Sequence, residues 1–227
     1  APAVAAAAEA HSAAPSGGHP WERRGGGPLT SSAVPWSSPS NFSAGPAWAW
    51  PNERLEQVRF SPLVDADEMI YVATTTRVLK LNRNGTVVWT FERPELRCTA
   101  SPALHVRSML LVMQDAAERP TLFSLALSTG SVEWHRTYPE YTRSGEAAAI
   151  LACCGMVVFG VKTHVLSGTD TVVAASASTG QVLWEHVTDE VMWNFSPATP
   201  GDGTVLFSSM CGAVFRLSAL GELMWRA

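Results

Sequence analysis

Two adjacent cysteines, Cys153 and Cys154, are the side chains of this sequence with the greatest capacity for chemistry. The whole chain of 227 residues has 4 cysteines, which is too few for the disulfide framework of a small secreted domain. A strand that ends in two small buried residues would have the same sequence, because a free cysteine behaves as a small hydrophobe. The residues alone leave both interpretations open, a functional pair and a packed strand end.

Other residues that could bind a metal or activate a substrate lack partners at a suitable spacing. The run from Asp65 to Glu68 has neither the glycine nor the distal glutamate of an EF-hand, and it predicts a solvated hairpin turn. Neither a nucleophile elbow, nor a Walker motif, nor a dinucleotide fingerprint occurs in the sequence. No Cys or His stands at metal-ligand spacing from any of four histidines, which are interpreted as structural or surface residues: His105, His135, His164 and His186.

Composition and charge narrow the class of protein. A chain with 46% hydrophobic and 16% charged residues is typical of a globular protein. Its net charge of -4 and scattered basic residues exclude the basic footprint that nucleic acid requires. The longest apolar stretch, residues 147–161, is shorter than the roughly 20 residues that cross a bilayer and predicts two buried strands. The opening Ala1-Pro2-Ala3-Val4 predicts a processed chain in an extracytoplasmic compartment or an organellar lumen.

The first part of the chain, residues 1–46, predicts an extended arm. It is rich in proline, glycine and alanine, a composition that cannot assemble a core of its own. Large aromatic side chains are nevertheless costly to leave in water, so the arm is expected to dock on a partner or on the rest of the chain. A loose tail is the alternative. The candidates for interaction are the aromatic residues in and just after the arm: Trp21, Trp36, Phe42 and Trp48.

The remainder, residues 47–227, repeats one pattern four times. A glycine stands four residues before a tryptophan in each copy, and Trp50 opens the series without its glycine. Successive tryptophans from Trp50 are 39, 45, 50 and 41 residues apart, close to the period of a propeller blade. The pairs are Gly85 and Trp89, Gly130 and Trp134, Gly180 and Trp184, and Gly221 and Trp225.

The interior of each repeat predicts four short antiparallel strands. A turn precedes an apolar strand, as in residues 65–72, and a further strand leads to the glycine, as in residues 78–85. The glycine supplies the positive φ of the last turn, and the tryptophan follows in the fourth strand. Four such units predict an all-β fold, a partial β-propeller with blades at about residues 58–91, 98–136, 146–186 and 195–226.

The glycine and tryptophan motif resembles the PQQ-type (pyrroloquinoline-quinone-like) repeat. Residues 177–184, Ala-Ser-Thr-Gly-Gln-Val-Leu-Trp, match its Ala-x-Thr-Gly-x-x-x-Trp segment, and residues 127–134 are a second good copy. The tryptophan is expected to wedge between neighbouring blades, with the glycine setting the turn that aims it. The family's usual aspartate before the glycine is absent, and the corresponding positions hold Asn82, Ala126, Ser176 and Ser218.

The resemblance implies two different functions for this fold. Quinoprotein alcohol dehydrogenases bind the quinone and Ca²⁺, and in them a disulfide between adjacent cysteines packs against the quinone, a role that Cys153 and Cys154 would take here. Assembly lipoproteins use similar blades to bind proteins. The nearest Ca²⁺ ligands in this sequence would be Asp189, Glu190 and Asn194, of which Asp189 and Glu190 are better explained as capping an interblade loop. The enzymes of the family have eight blades, whereas this chain supplies four.

The sequence therefore predicts a non-enzymatic interaction module without a cofactor or metal. It would be an accessory or scaffold subunit of a larger assembly, with an organellar or a membrane-associated assembly among the expectations. Other protein subunits, a second copy or further blades would cover the open blade edges, because exposed strand edges and apolar faces are normally covered or closed. A compact ring of four blades is another solution. The alternative function is a fragment of a PQQ- and calcium-dependent quinoprotein alcohol dehydrogenase.

Overall fold

The computed structural model describes residues 19–27, 43, 45–46, 48–50, 54, 56–142, 148–163 and 168–227. These residues form eighteen strands, and no α-helix occurs among them. Within the same residues, no helix is long and apolar enough to cross a membrane.

The first blade is a four-stranded antiparallel sheet in which each strand pairs with the next. Alternate residues of its last strand are buried, Trp89 and Phe91, as expected for a strand with one face in a core. The turn after the first strand begins at Asp65, whose Oδ1 accepts the N–H groups of Asp67 and Met69 at 2.9 Å each. The four strands are β1 (Leu63–Val64), β2 (Ile70–Ala73), β3 (Arg77–Leu81) and β4 (Val87–Glu92).

The prediction of a solvated turn at residues 65–68 is wrong for its first residue. Asp65 is buried, while the next three residues are exposed. The Oδ2 atom of Asp65 accepts the hydroxyl of Tyr71 at 2.7 Å and lies 3.5 Å from Nζ of Lys80. Burying the carboxylate is tolerated because it has hydrogen-bond donors and a cation as partners.

The second blade forms a five-stranded sheet, in which the third strand in chain order pairs with both earlier strands, and one further short strand, Ala100–Ser101 (β6), lies outside this sheet. Its two longest strands are nearly all buried, so that this blade lies in the middle of the core. The strands are β5 (Arg97–Cys98), β6 (Ala100–Ser101), β7 (Ala103–His105), β8 (Ser108–Gln114), β9 (Pro120–Ala126) and β10 (Val132–Thr137).

The third blade is again a four-stranded antiparallel sheet, preceded by a short strand that pairs in parallel with β6 of the second blade. The apolar stretch of the sequence becomes two buried strands joined by a turn, as expected. The strands are β11 (Ala148–Ala149), β12 (Leu151–Cys153), β13 (Met156–Val161), β14 (Thr169–Ser176) and β15 (Val182–Met192).

The fourth blade has three regular strands and one bridge. Ala198 and Leu206 exchange two backbone hydrogen bonds of 2.8 Å each, and this pair stands where the other blades have an inner strand. The outermost strand is exposed along its whole length. The strands are β16 (Val205–Ser208), β17 (Val214–Leu217) and β18 (Leu223–Arg226).

Residues 19–27, which precede the blades, lie against three of them. The backbones of Trp21 and Val64 exchange hydrogen bonds of 3.2 and 2.9 Å, so the segment extends blade 1 at β1. The N–H of Leu104 in blade 2 donates to the carbonyl of Glu22 at 2.7 Å. The guanidinium of Arg23 donates through Nη2 to the carbonyl of Pro197, just before the bridge of blade 4. We call residues 19–27 the inner segment.

Candidate functional site

Each seam between two neighbouring blades is made by a tryptophan that covers a glycine. A Cβ built on Gly130 would lie 2.7 Å from the indole ring of Trp89, and one built on Gly221 would lie 2.6 Å from the ring of Trp184. Both glycines have a positive φ, so they provide the turn conformation and leave room for the ring. The same contact joins Trp134 to Gly180.

Hydrogen bonds fix the ring at two of these seams. Nε1 of Trp89 donates to the carbonyl of Leu127 at 3.0 Å, and Nε1 of Trp184 donates to the carbonyl of Ala219 at 3.0 Å. Each acceptor lies two or three residues before the glycine that the ring covers. We call the glycine and this carbonyl together a glycine turn.

The seam between blades 2 and 3 departs from this pattern. The indole N–H of Trp134 has no acceptor among the described residues, and its ring borders a cleft of about 480 Å³. The hydrogen bond to the carbonyl of Gly180 comes from Tyr138 instead, whose hydroxyl donates to it at 2.7 Å. The carboxylate of Glu133, which also lines the cleft, accepts the hydroxyls of Ser108 and Ser124 at 2.7 Å each. The cleft lies between blades 2 and 3, but both hydroxyls and the carboxylate belong to blade 2, so these hydrogen bonds hold the side chain of Glu133 against its own sheet.

The first blade is covered on its outer side by residues that precede it. Trp48 packs over Gly85, and its Nε1 donates to the carbonyl of Arg83 at 2.7 Å. Trp48 and Trp50 also pack against the apolar side chains of this face. Trp48, one of the predicted interaction candidates, thus packs within the chain, in the role that a preceding blade would fill. A role for Trp48 as a contact for a partner stays a prediction.

The last blade lacks an equivalent cover among the described residues. Its tryptophan, Trp225, is 40% exposed, whereas Trp89 at the same position of blade 1 is 9% exposed. The indole N–H of Trp225 has no acceptor within the described chain. Exposed Val214 and half-buried Leu206 lie on the same face of the sheet. We call this surface of Leu206, Val214, Arg216 and Trp225 the end face of blade 4.

The inner segment carries a buried pair of opposite charges. Glu22 and Arg23 are both buried, and burial is the main cause that lowers the pKa of Arg23 to about 10, with the charge of Glu22 acting in the opposite direction. Nε and Nη1 of Arg23 have no hydrogen-bond partner among the described residues. Trp21 packs against the core of blades 1 and 2. Its predicted role as a contact for a partner stays a prediction, as do those of Trp36 and Phe42, which lie outside the described residues.

Cys153 and Cys154 form a disulfide at the turn between β12 and β13. Cys153 is buried in the core, whereas Cys154 is exposed, with a φ of 57°, and its Sγ lies 3.6 Å from the carbonyl of Gly201 in blade 4. Of the other cysteines, Cys98 is buried and Cys211 is exposed, and both are free. The pair is thus more than two packed thiols, but the disulfide alone does not decide whether it serves a ligand.

The acidic residues considered for Ca²⁺ do not fit that role. Arg226 donates to the carboxylates of Asp189 and Glu190, and the hydroxyl of Ser209 also donates to Glu190. Asn194 is exposed at a position with a positive φ. Among the described residues no group of three His, Cys, Asp or Glu side chains could hold a metal ion. The arrangement ties blade 3 to blade 4 through a basic side chain and leaves no set of free oxygens for a cation.

The histidines among the described residues are structural or surface residues, as the sequence predicts. His135 is exposed and stacks on Phe123 with ring centroids 5.6 Å apart. Burial is the main cause that lowers the pKa of His105, and the nearby charge of His19 adds to it. His186 is half-buried in β15, and His164 lies outside the described residues.

Sequence reasoning did not identify the residues around the tryptophans whose solvent exposure distinguishes a covered blade face from an uncovered one. Val214, Arg216 and Leu206 carry no motif, and their exposure follows only from the pairing of β16 with β17. It also missed Glu22 and Arg23 of the inner segment. The one signal for them was a cluster of charges inside a stretch otherwise poor in charge.

Comparisons with known proteins agree with this architecture. A family model described as outer membrane protein assembly factor BamB matches residues 43–160, just over half of the chain. No curated protein sequence matches the chain.

Solved structures give the same result for the fold. A quinohemoprotein alcohol dehydrogenase from Comamonas testosteroni is 16% identical with a TM-score of 0.72, over 92% of this chain and 41% of that one. A second such dehydrogenase, from Pseudomonas putida HK5, is 16% identical with a TM-score of 0.55, over 73% of this chain and 34% of that one. BamB from Moraxella catarrhalis is 22% identical with a TM-score of 0.43, over 73% and 62%.

The chain therefore spans less than two thirds of the length of each of these proteins. At these identities the likeness to the two dehydrogenases concerns the fold alone. It confirms the predicted all-β class and a partial propeller, in which the sheets of blades 1 and 3 have four strands, that of blade 2 has five and that of blade 4 has three with a bridge.

Proposed function

Because the chain belongs to the PQQ-like repeat family described as outer membrane protein assembly factor BamB, we propose that it is a protein-binding module, an accessory or scaffold subunit of a larger assembly. The observation that supports this best is the match of that family model to residues 43–160. Exposed apolar side chains such as Trp225 and Val214 agree with a surface that binds another protein. In this role the module needs neither a cofactor nor a metal.

We also propose that the chain works in an extracytoplasmic compartment or an organellar lumen. The disulfide between Cys153 and Cys154 supports this, because disulfides persist in oxidising compartments and are rare in the cytosol. A membrane-associated assembly would agree with the description of the family model, which names an outer membrane assembly factor.

The second candidate function is that of a fragment of a quinoprotein alcohol dehydrogenase. The disulfide of Cys153 and Cys154 favours it, since the resemblance gives such a pair the role of packing against the quinone. The bound quinone would accept the electrons of the alcohol. Against it stand Asp189 and Glu190, whose carboxylates are paired with Arg226, so that a Ca²⁺ ion would have to displace this basic side chain.

The scaffold function is tested by the native mass of the chain in its own cells. An epitope-tagged chain should elute from gel filtration in an assembly well above its own 24.3 kDa, and cross-linking should join it to other subunits. A tagged chain that elutes at its own mass and yields no cross-linked partner would contradict the proposal.

The dehydrogenase function is tested with the purified chain. Incubation with PQQ and Ca²⁺, followed by gel filtration, should leave no quinone absorbance in the protein peak, and dye-linked alcohol oxidation should be absent. Retained quinone together with turnover would overturn the scaffold proposal in favour of the enzyme.

A further inference from the structure

Two histidines lie where the inner segment contacts blade 2. The segment forms hydrogen bonds with the backbone on either side of His105. The N–H of Leu104 donates to the carbonyl of Glu22 at 2.7 Å, and the carbonyl of Val106 accepts a hydrogen bond from Nε2 of His19 at 2.9 Å. Attachment of the segment therefore brings the ring of His19 close to that of His105.

The two partners of His19 fit the neutral form of its ring. Its Nδ1 accepts the N–H of Ala66 in blade 1 at 3.2 Å, so the ring proton belongs on Nε2, which donates to Val106 in blade 2. A second proton, on Nδ1, would face the N–H of Ala66 and remove its acceptor. His19 is buried, so water has little access to replace the lost hydrogen bond. The contact of this ring with both blades therefore requires that it carry no charge.

The surroundings of His105 also favour an uncharged ring. Its Nδ1 is buried and has no hydrogen-bond partner among the described residues. Burial lowers the pKa of His105, and the nearby charge of His19 lowers it further. Because the inner segment is bonded to the residues on both sides of His105, its removal would give water access to this ring and let it take up a proton more readily.

Neither ring is paired with a carboxylate among the described residues. The carboxylate of Asp65, next to Ala66, already binds a tyrosine hydroxyl and lies near a lysine of its own blade. That of Glu133 accepts two serine hydroxyls of blade 2. The charged groups around the two rings are Asp65, Asp67 and Glu68 in the turn after β1, Arg107 and Glu133 along the cleft beside His105, and Glu22, Arg23 and Arg24 in the inner segment.

We propose that mild acid releases the inner segment from blades 1 and 2, because its attachment requires His19 and His105 to be uncharged together. The inference goes beyond the scaffold function and does not depend on it. In the released segment and the uncovered blade, the two rings take up protons as ordinary histidines do, with a pKa of about 6.5. The attached state disfavours those protons, so attachment is complete above this pH and weakens as the pH falls below it. Release would leave the edge of β1 without its partner.

Amide hydrogen exchange of the whole chain measures the attachment, because dividing by the intrinsic exchange rate removes the direct effect of pH. The amides to follow are those of Trp21, which donates to the carbonyl of Val64, and Leu104, which donates to that of Glu22. From about pH 7.5 to about pH 5 their protection should fall at least about tenfold. The amides of β8 should keep their protection, which shows that blade 2 stays folded.

Two variants separate the histidine pair from other effects of acid. In H19Q/H105Q both side chains still donate and accept hydrogen bonds but do not titrate, so the protection of Trp21 and Leu104 should not depend on pH over this range. His135→Gln is the matched control, because this histidine is exposed on the outer strand of the same blade. It should show the same loss of protection as the wild type.

If H19Q/H105Q has already lost the segment at neutral pH, the titration of His105 decides, followed by NMR at its Cε1 proton. His105 should titrate at a lower pH in the wild type than in Trp21→Ala, whose segment is detached. Equal titration in these two proteins overturns the inference, as does protection that stays constant with pH, falls equally in β8, or falls equally in an attached H19Q/H105Q. The native mass of the tagged chain in its own cells tests the scaffold function separately.

Discussion

At the scale of single residues, glycine and tryptophan act as pairs that join neighbouring sheets. The glycine has two duties, because its positive φ makes the turn and its missing Cβ lets the ring of the preceding blade lie on the backbone. The two duties can be separated by comparing a seam glycine with one that only makes a turn.

Gly130→Ala should destabilise the chain by about 2–5 kcal/mol. The strained φ costs an alanine about 1–2 kcal/mol, and a Cβ 2.7 Å from the ring of Trp89 adds overpacking of about 1–3 kcal/mol. Gly155→Ala is the matched control, because its φ of 78° is similar but nothing lies within 4 Å of the added Cβ. Urea unfolding measures both variants, and equal losses would show that the ring contact contributes nothing.

The thiols give a second prediction at this scale. Burial raises the pKa of Cys98 to about 12, so this thiol stays protonated and unreactive at pH 8, whereas Cys211 is exposed. Ellman's reagent should therefore titrate one thiol in the native chain and two in the unfolded, unreduced chain. Reduction before unfolding should release all four. Four thiols without any reductant would mean that Cys153 and Cys154 are not bonded.

At the scale of elements, the inner segment is the part that joins blades distant in sequence. Trp21 pairs with β1, Glu22 with β7, and Arg23 reaches the carbonyl of Pro197, 174 residues away in the sequence. A segment of nine residues therefore contacts three sheets at once. We expect it to stay attached to the blades only while all three sheets are folded.

Trp21→Ala should release this segment while the blades stay folded. The bond after Arg23 is protected in the wild type because that residue is buried, and loss of the Trp21 packing should let trypsin cut there about tenfold faster. Mass spectrometry of the fragments identifies the cut. Trp193→Ala removes an exposed tryptophan of another blade and should leave the rate unchanged. Equal cleavage of W21A and wild type would contradict the packing of the segment.

The difference between local contacts and contacts that join distant sheets explains what could be predicted from the sequence. Gly180 and Trp184 are four residues apart, so a local pattern revealed both the turn and the strand that follows it, and four copies in phase revealed the propeller. The contact from Arg23 to Pro197 has no local pattern, because it depends on how separate sheets meet in space. Asp65 was predicted in a turn but not as buried, since its partners Tyr71 and Lys80 come from later strands.

At the scale of the whole molecule, the two ends of the array differ. Trp48 and Trp50 cover the outer side of blade 1, while the end face of blade 4 stays exposed among the described residues. Within the described residues, the tryptophan at the blade 4 end is therefore more exposed than the two that cover blade 1.

Comparing two equivalent tryptophans tests this asymmetry. Trp89→Ala should lower the free energy of unfolding by about 3–5 kcal/mol, as expected for a buried aromatic. Trp225→Ala should cost only about 1 kcal/mol and should raise the solubility, because its ring is partly in water. Thermal and urea unfolding measure the stability. A loss for Trp225→Ala as large as that for Trp89→Ala would show that its ring is covered within the chain.

Because three successive sheets each place a ring over a glycine of the next, the joints between them share one design. Duplicating one unit would insert a sheet able to meet both of its neighbours, and deleting one would bring together two surfaces that already match. The contact between two neighbouring sheets does not depend on how many units the array contains. Evolution can therefore lengthen or shorten such a protein in whole steps.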